Sequence, residues 1–207
     1  MSTLRLVAIT AGLSRPSSTR LLTDRLAGST KRLLAERGVT AEVETVELRD
    51  LAVDIATAMT TGFPAGRLRA TLDAVARADG LIAVTPVFTA SYSGLFKSFF
   101  DILDKDALAG TPVVIAATGG TARHSLALEH ALRPLFAYLR AFVVPTAVYA
   151  ASEDWGNTDG LVPRIERAAG ELADQLAGGR GHKRATADEF EDVTPFEEKL
   201  AGVYRRR

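Results

Sequence analysis

Short aliphatic runs alternate along this chain with longer stretches in which apolar side chains recur every three or four positions. Residues 4–10 carry enough Leu, Val and Ile for a buried strand. Residues 18–37 place Leu21, Leu22, Leu26, Leu33 and Leu34 at helical spacing before Gly38 stops them. "AEVETVEL" (41–48) alternates apolar and acidic side chains, the pattern of an edge strand with one wet face, and "GRLRATLDAVARADG" (66–80) is a helix bounded by glycines. The stretch between them, 49–65, is expected as a long loop. "GLIAVTP" (80–86) and "TPVVIAATGG" (111–120) are apolar throughout, as strands covered on both faces are. Further helices are expected near 93–105, 124–140 and 160–177. A fifth strand is expected in "AFVVPTAVYA" (141–150), where Pro145 is tolerable only at an edge or a bulge.

Strands alternating with helices predict an α/β fold, a doubly wound three-layer sandwich around a five-stranded, mostly parallel sheet. The polar character of the second strand and the proline of the fifth put both outside, which favours order 2-1-3-4-5 and a switch point between strands one and three. Residues 1–178 form that domain. From 179 to 207 the chain turns Gly- and charge-rich and then amphipathic, with Phe196, Leu200 and Val203 on one helical face, an arm expected to dock on the domain or on a second subunit.

At 207 residues and 47% apolar content, a single domain burying roughly 70% of its extended surface is the simplest arrangement. No run reaches the roughly 20 apolar residues that cross a bilayer. The 25 basic residues balance the 25 acidic ones, so no overall field draws a nucleic acid, and a small ligand is the better expectation. The sequence has no cysteine, which removes disulfides, thiolate nucleophiles and Cys-bound metals. The first residues show no signal-peptide pattern, so a cytoplasmic location is expected.

In open α/β sheets ligands sit beyond the carboxyl ends of the strands, which directs attention to three loops. "GLSRPSSTR" (12–20) joins a helix start to the hydroxyls of Ser14, Ser17, Ser18 and Thr19 and the guanidinium groups of Arg15 and Arg20. Such a junction suits a terminal phosphate. It lacks the Gly-Lys-Ser/Thr of a nucleoside-triphosphate loop and the three glycines of a dinucleotide turn. In "TPVFTASYSGLFK" (85–97), Pro86 holds Thr85 extended, and the small residues Thr89, Ala90, Ser91 and Ser93 let a flat ring approach the main chain. Phe88 and Tyr92 either flank that ring or simply pack, and Lys97 meets either a ligand oxygen or Asp101. "TGGTARHS" (118–125) bares backbone N–H groups at Gly119 and Gly120, beside Thr118, Thr121 and Arg123, a donor-rich wall for the polar edge of a heterocycle. A phosphate cup, a shelf for a ring and a donor wall match the three parts of flavin mononucleotide (FMN).

The three loops resemble the flavin loops of the NADPH-dependent FMN reductase family, which is flavodoxin-like in fold, and the similarity covers residues 4 to about 178. The whole chain, with "VTPFEEKLAG" near its end, resembles the actinobacterial subgroup that supplies reduced flavin to luciferase-like monooxygenases. The resemblance implies phosphate binding by Ser14, Arg15, Ser17, Ser18, Thr19 and Arg20, with Arg15 alternatively reaching the 2′-phosphate of NADPH. It implies ring contact by Pro86, Val87, Phe88, Thr89, Ala90 and Ser91, and contact with the pyrimidine edge by Thr118, Gly119, Gly120 and Thr121. NADPH or NADH would deliver hydride to the flavin N5, and a homodimer or homotetramer is implied, with Asp154 and Trp155 either covering a neighbouring subunit's flavin or simply packing within their loop.

That chemistry belongs to the cofactor and needs orientation rather than an acid–base pair. Accordingly, the loops contain no Ser-His-Asp set, paired carboxylate or metal-spaced histidines; His124 is expected to start a helix. Two rivals share the scaffold. One is a quinone, azo-dye or chromate reductase that keeps its FMN. The other is a non-enzymatic flavodoxin-type carrier, which is usually strongly acidic where this chain is neutral, or a receiver-like switch, which lacks its acidic residues here.

Overall fold

In the computed structural model, which describes residues 3–156 and 160–179, the first apolar run forms β1 (Leu4–Thr10), its last five residues buried. The Ser17 hydroxyl accepts from the Arg20 N–H at 3.2 Å and opens α1 (Ser18–Glu36), satisfying one of the donors a helix start leaves free. The alternating run forms β2 (Ala41–Glu47), parallel to β1 along its whole length. The expected loop over 49–65 instead holds a 3-10 turn at Leu48–Leu51 and a helix, α2 (Ala52–Thr61). Only Ile55 and Ala58 of α2 are buried, too few to write an apolar stripe into the sequence.

The chain continues through α3 (Gly66–Arg77), β3 (Gly80–Phe88), β4 (Ser91–Tyr92), α4 (Gly94–Asp101) and β5 (Pro112–Gly119). α4 is shorter than the expected 93–105. The helix expected over 124–140 is broken into a 3-10 turn at Ala122–His124, a π-helical turn at Leu128–Leu132 and α5 (Arg133–Tyr138). Pro134 stands at the start of α5 without an N–H to donate, so the regular ladder cannot run through it from the preceding turn. The expected fifth strand is likewise divided, into β6 (Phe142–Val143) and β7 (Val148–Ala151). Pro145 lies in the gap, where its missing donor interrupts no ladder. α6 (Leu161–Ala177) closes the domain.

The sheet therefore has seven strands, not five. The expected order survives as β2-β1-β3-β5-β6, with β7 also parallel to β5 and β4 an antiparallel partner of β3. Neighbouring residues of β1 point to opposite faces, as a strand requires. Leu6 and Ala8 join Leu22 and Leu26 of α1 and Leu172 of α6 on one side. Val7 and Ile9 join Leu72, Phe96 and Phe136 on the other, where the ring centroids of Phe96 and Phe100 stand 4.7 Å apart. With both faces sealed, the loops beyond the carboxyl ends of β1, β3 and β5 are where a doubly wound sheet holds a ligand. The expected C-terminal arm, beyond Gly179, lies outside the described residues.

Candidate flavin site

The first loop is drawn tight against the start of α1. A Cβ placed on Gly12 would lie 2.0 Å from Ser17 Oγ and 3.0 Å from Thr19 Cβ, so the turn admits no side chain there. α1 has no acidic residue in its first turn. The N–H groups of Ser18 and Thr19 have no acceptor among the described residues. Free donors and the positive end of a 19-residue helix together favour an anion. The Thr19 side chain, by contrast, is buried and shares a hydrogen bond of 2.8 Å with Thr118 Oγ1, tying the first loop to the third.

The arginines behave differently from the hydroxyls. Arg20 Nε donates to Asp24 at 2.8 Å and its Nη1 to Glu47 at 2.7 Å. The Asp24 hydrogen bond is the main cause that raises Arg20 above its ordinary value, against desolvation. Arg15 is largely exposed and touches Asp50 at 3.4 Å. Arg49, which sequence reasoning missed, donates from Nη1 to the Ser14 carbonyl at 2.6 Å and is ion-paired with Glu47. Its position directly after the β2 run, beside the end of β1, was the available signal.

The second loop is a two-residue hairpin between β3 and β4, with Val87 opposite Tyr92 and Phe88 opposite Ser91. Thr89 and Ala90 at its tip have φ of 46° and 69°, as a type I′ turn requires. For a β-branched threonine this is a strained conformation of the kind that collects at functional sites. The hairpin's base is fastened by Thr85, whose Oγ1 accepts from the Ser93 N–H at 3.0 Å. Ser93 in turn caps α4 through the Phe96 N–H. Phe88 is half exposed and Tyr92 packs toward Phe96. Lys97 pairs with Asp101.

The third loop is held from below by Tyr149 of β7, whose hydroxyl donates to the Thr121 carbonyl at 2.9 Å. A Cβ on Gly119 would fall 2.0 Å from that hydroxyl, so a glycine and a tyrosine thirty residues apart define one another. Burial first, then the nearby Asp154, raises the Tyr149 phenol above its ordinary value of 10.0. Thr121 Oγ1 accepts weakly from the Arg123 N–H, and His124 sits in the short turn that follows.

A cleft of about 400 Å³ opens among the three loops. Ser14, Ser18 and Thr19 line one end, Pro86, Val87 and Phe88 one wall, and Thr118, Gly119 and Gly120 another. Gly12, Leu13, Ser152 and Trp155 complete it. Of these, Ser152 was not foreseen from sequence, since the chain between β7 and α6 carries no distinguishing pattern. Arg15, Ser17, Arg20, Thr89, Ala90, Ser91 and Thr121 do not line this cleft. Ser17 instead caps the helix, and Thr89 to Ser91 shape the hairpin. The chemistry fits FMN: unpaired N–H groups and hydroxyls for a phosphate, a strip of backbone and small side chains for a ring, and bare amides around Gly120, where a Cβ would meet only open space. Among the described residues no cluster of His, Asp or Glu could hold a metal, and no helix is long and apolar enough to cross a membrane.

Comparison with known proteins converges on the same group. The chain is 40% identical over 185 residues to "FMN reductase (NADPH)" of Pseudomonas aeruginosa, covering 86% of this chain and 95% of that protein. It is 40% identical over 181 residues to "NADH-dependent FMN reductase SfnF" of Pseudomonas fluorescens, covering 84% and 92%. The solved structure of an oxidoreductase from Corynebacterium diphtheriae superposes with a TM-score of 0.83 at 51% identity, over 85% of this chain and 98% of that one. Residues 4–156, the span from β1 to the Trp155 turn that contains every loop of the cleft, match the family model described as NADPH-dependent FMN reductase, and the chain belongs to that family.

Proposed function

We propose that this chain passes hydride from NADPH or NADH to FMN held in the three-loop cleft. The carrying observation is the donor set at the first β–α junction: two N–H groups without acceptors at the start of a long helix, beside Ser14 and Ser18. FMN, when bound, supplies the hydride acceptor. The residues orient it. Ser14, Ser18 and the α1 start hold the phosphate. Pro86 to Phe88 set the plane of the ring, and the loop carrying Gly119 and Gly120 offers donors to its pyrimidine edge. The test is oxidation of NADPH and of NADH by the purified protein with and without added FMN. Oxidation that requires free FMN and releases reduced flavin supports the proposal. Oxidation of neither NADPH nor NADH in the presence of FMN overturns it, as does oxidation by flavin-free protein with no flavin added.

The finer assignment is that the reduced FMN leaves to serve a luciferase-like monooxygenase in the cytoplasm. The 51% identical corynebacterial structure supports the actinobacterial subgroup. The openness of the cleft to solvent supports release. Val53, Met59 and Phe63, exposed along and just past α2, favour a homodimer or homotetramer, because apolar groups clustered at a surface mark contact sites.

A further inference from the structure

The residue that closes β2 stands beside the phosphate cup and carries a charge of the same sign as a phosphate. Glu47 is paired in register with Thr10, the last residue of β1, so the strand ladder sets it level with the start of the first loop. Side chains alternate along a strand, and Glu47 shares its face of β2 with Ala41 and Val43, which join the apolar layer beneath α1. A carboxylate at such a position has to be paired. Glu47 meets two arginines: its Oε1 accepts from Arg20 Nη1 at 2.7 Å, and its Oε2, shut off from solvent, is in ion-pair contact with Arg49 Nη2. Both arginines line a second cleft along α1 together with Ser14 and Ser18, the hydroxyls of the phosphate end.

This arrangement decides where the positive charge goes. Arg20 also gives its Nε to Asp24 at 2.8 Å, and Arg15 and Arg49 lie 3.4 and 3.9 Å from Asp50. Arg15, Arg20 and Arg49 thus stand against Asp24, Glu47 and Asp50, and the cup offers a dianion N–H groups and hydroxyls but no net charge. Glu47 is the least exposed of the three carboxylates, 18% against 47% for Asp24 and 36% for Asp50, and so the least screened by solvent. We propose that Glu47 is an affinity-setting residue: by holding Arg20 and Arg49 off the phosphate, it keeps FMN weakly bound and free to exchange. A guanidinium released onto a phosphate makes charge-assisted, two-pronged contacts that neutral donors do not match, and a chain that releases reduced flavin is better served without them. The proposal rests on the flavin assignment of the cleft.

The experiment titrates FMN and riboflavin into the full chain, follows flavin fluorescence and measures FMN dissociation by stopped flow, for the wild type and for Glu47→Gln. The amide keeps the size and an acceptor oxygen while removing the charge that restrains both guanidinium groups. FMN is expected to bind about tenfold more tightly and to leave correspondingly more slowly, while riboflavin moves by less than about twofold. The gain should fade as salt is raised, since it is electrostatic. Glu47→Asp, which keeps the charge, is expected to stay within about threefold of the wild type. Asp50→Asn, at an exposed ion pair of little weight for the fold, is expected to tighten FMN by a smaller factor, about threefold. A folded Glu47→Gln that leaves FMN affinity unchanged or weakens it overturns the proposal, as does an equal tightening of riboflavin. If that variant does not fold, an Asp50→Asn that fails to tighten FMN overturns it instead. FMN-dependent oxidation of NADPH or NADH by the wild type separates the two assignments: where it persists, only the role of Glu47 has failed, and where it is absent, the flavin assignment has failed first.

Discussion

At the phosphate end of the cleft no residue is held at positive φ and the nearest arginines are already paired: Ser17 caps α1, and Arg20 and Arg49 are turned onto Glu47 and Asp24. At the ring end there is no ion pair in the hairpin at all. Instead, two non-glycine residues are held at positive φ by the strand pairing on either side. One end is thus built from free donors and the other from imposed backbone shape. The lesson is that an anion can be held by neutral N–H groups that cost no desolvation of a full charge, whereas the wall for a flat ring, Pro86 to Phe88, is shaped by a hairpin whose tip is held at positive φ.

The contrast breaks first at the phosphate end. Replacing Ser17 and Thr19 together by alanine removes the helix cap and the bond to Thr118. FMN binding is expected to weaken by about a hundredfold, because the α1 donors and Ser18 lose the cap and the loop tie that hold them in place. Riboflavin, which has no phosphate, should change far less, and isothermal titration with both ligands distinguishes a lost anion site from a collapsed loop. Gly12→Ala is next, because the new methyl displaces the Ser17 hydroxyl; about a tenfold loss for FMN is expected.

Tyr149→Phe probes the third loop, and here a single hydroxyl is at stake. About 1 kcal/mol, or roughly fivefold in FMN affinity, is expected, together with a shifted absorption spectrum of the bound flavin. The same variant carries a pH signature. The folded protein holds the Tyr149 proton more tightly than the unfolded chain does, by burial and then by Asp154. Stability from this group is therefore complete below its ordinary value of 10.0 and is lost as pH rises through the higher folded value. Denaturant midpoints of wild type and variant should converge as pH climbs above that ordinary value, and midpoints that stay parallel would remove Tyr149 from the account. The smallest effect is Thr89→Gly at the ring end. Relief of the left-handed threonine should stabilise the fold by about 1 kcal/mol, or about 2–4 °C in Tm. A falling Tm would show that the hairpin is not strained.

Much of this was legible beforehand because it rests on local rules. Apolar runs of strand length between helical stripes announce a doubly wound sheet, and a loop of hydroxyls before a helix announces an anion site. The missed pieces carry no local mark. α2 buries two residues and so leaves no stripe. Thr89 and Ala90 sit in a turn that asparagine and glycine would normally signal. Ser152 lines the cleft from a segment without a pattern, and the engagement of Arg20 by Glu47 joins residues 27 positions apart.

The order of hydrophobic and polar positions was sufficient to determine the layers, the strand order and the edge of the sheet at which the cleft opens, because burial of a periodic face is a local property of the chain. Which donors remain free was decided only when the chain closed on itself. Tyr149 met Gly119, Thr19 met Thr118, and the arginines found carboxylates on other elements. A hydrogen-bond donor is available to a ligand only if no neighbour in space has already taken it, and neighbours in space are what a linear pattern does not record.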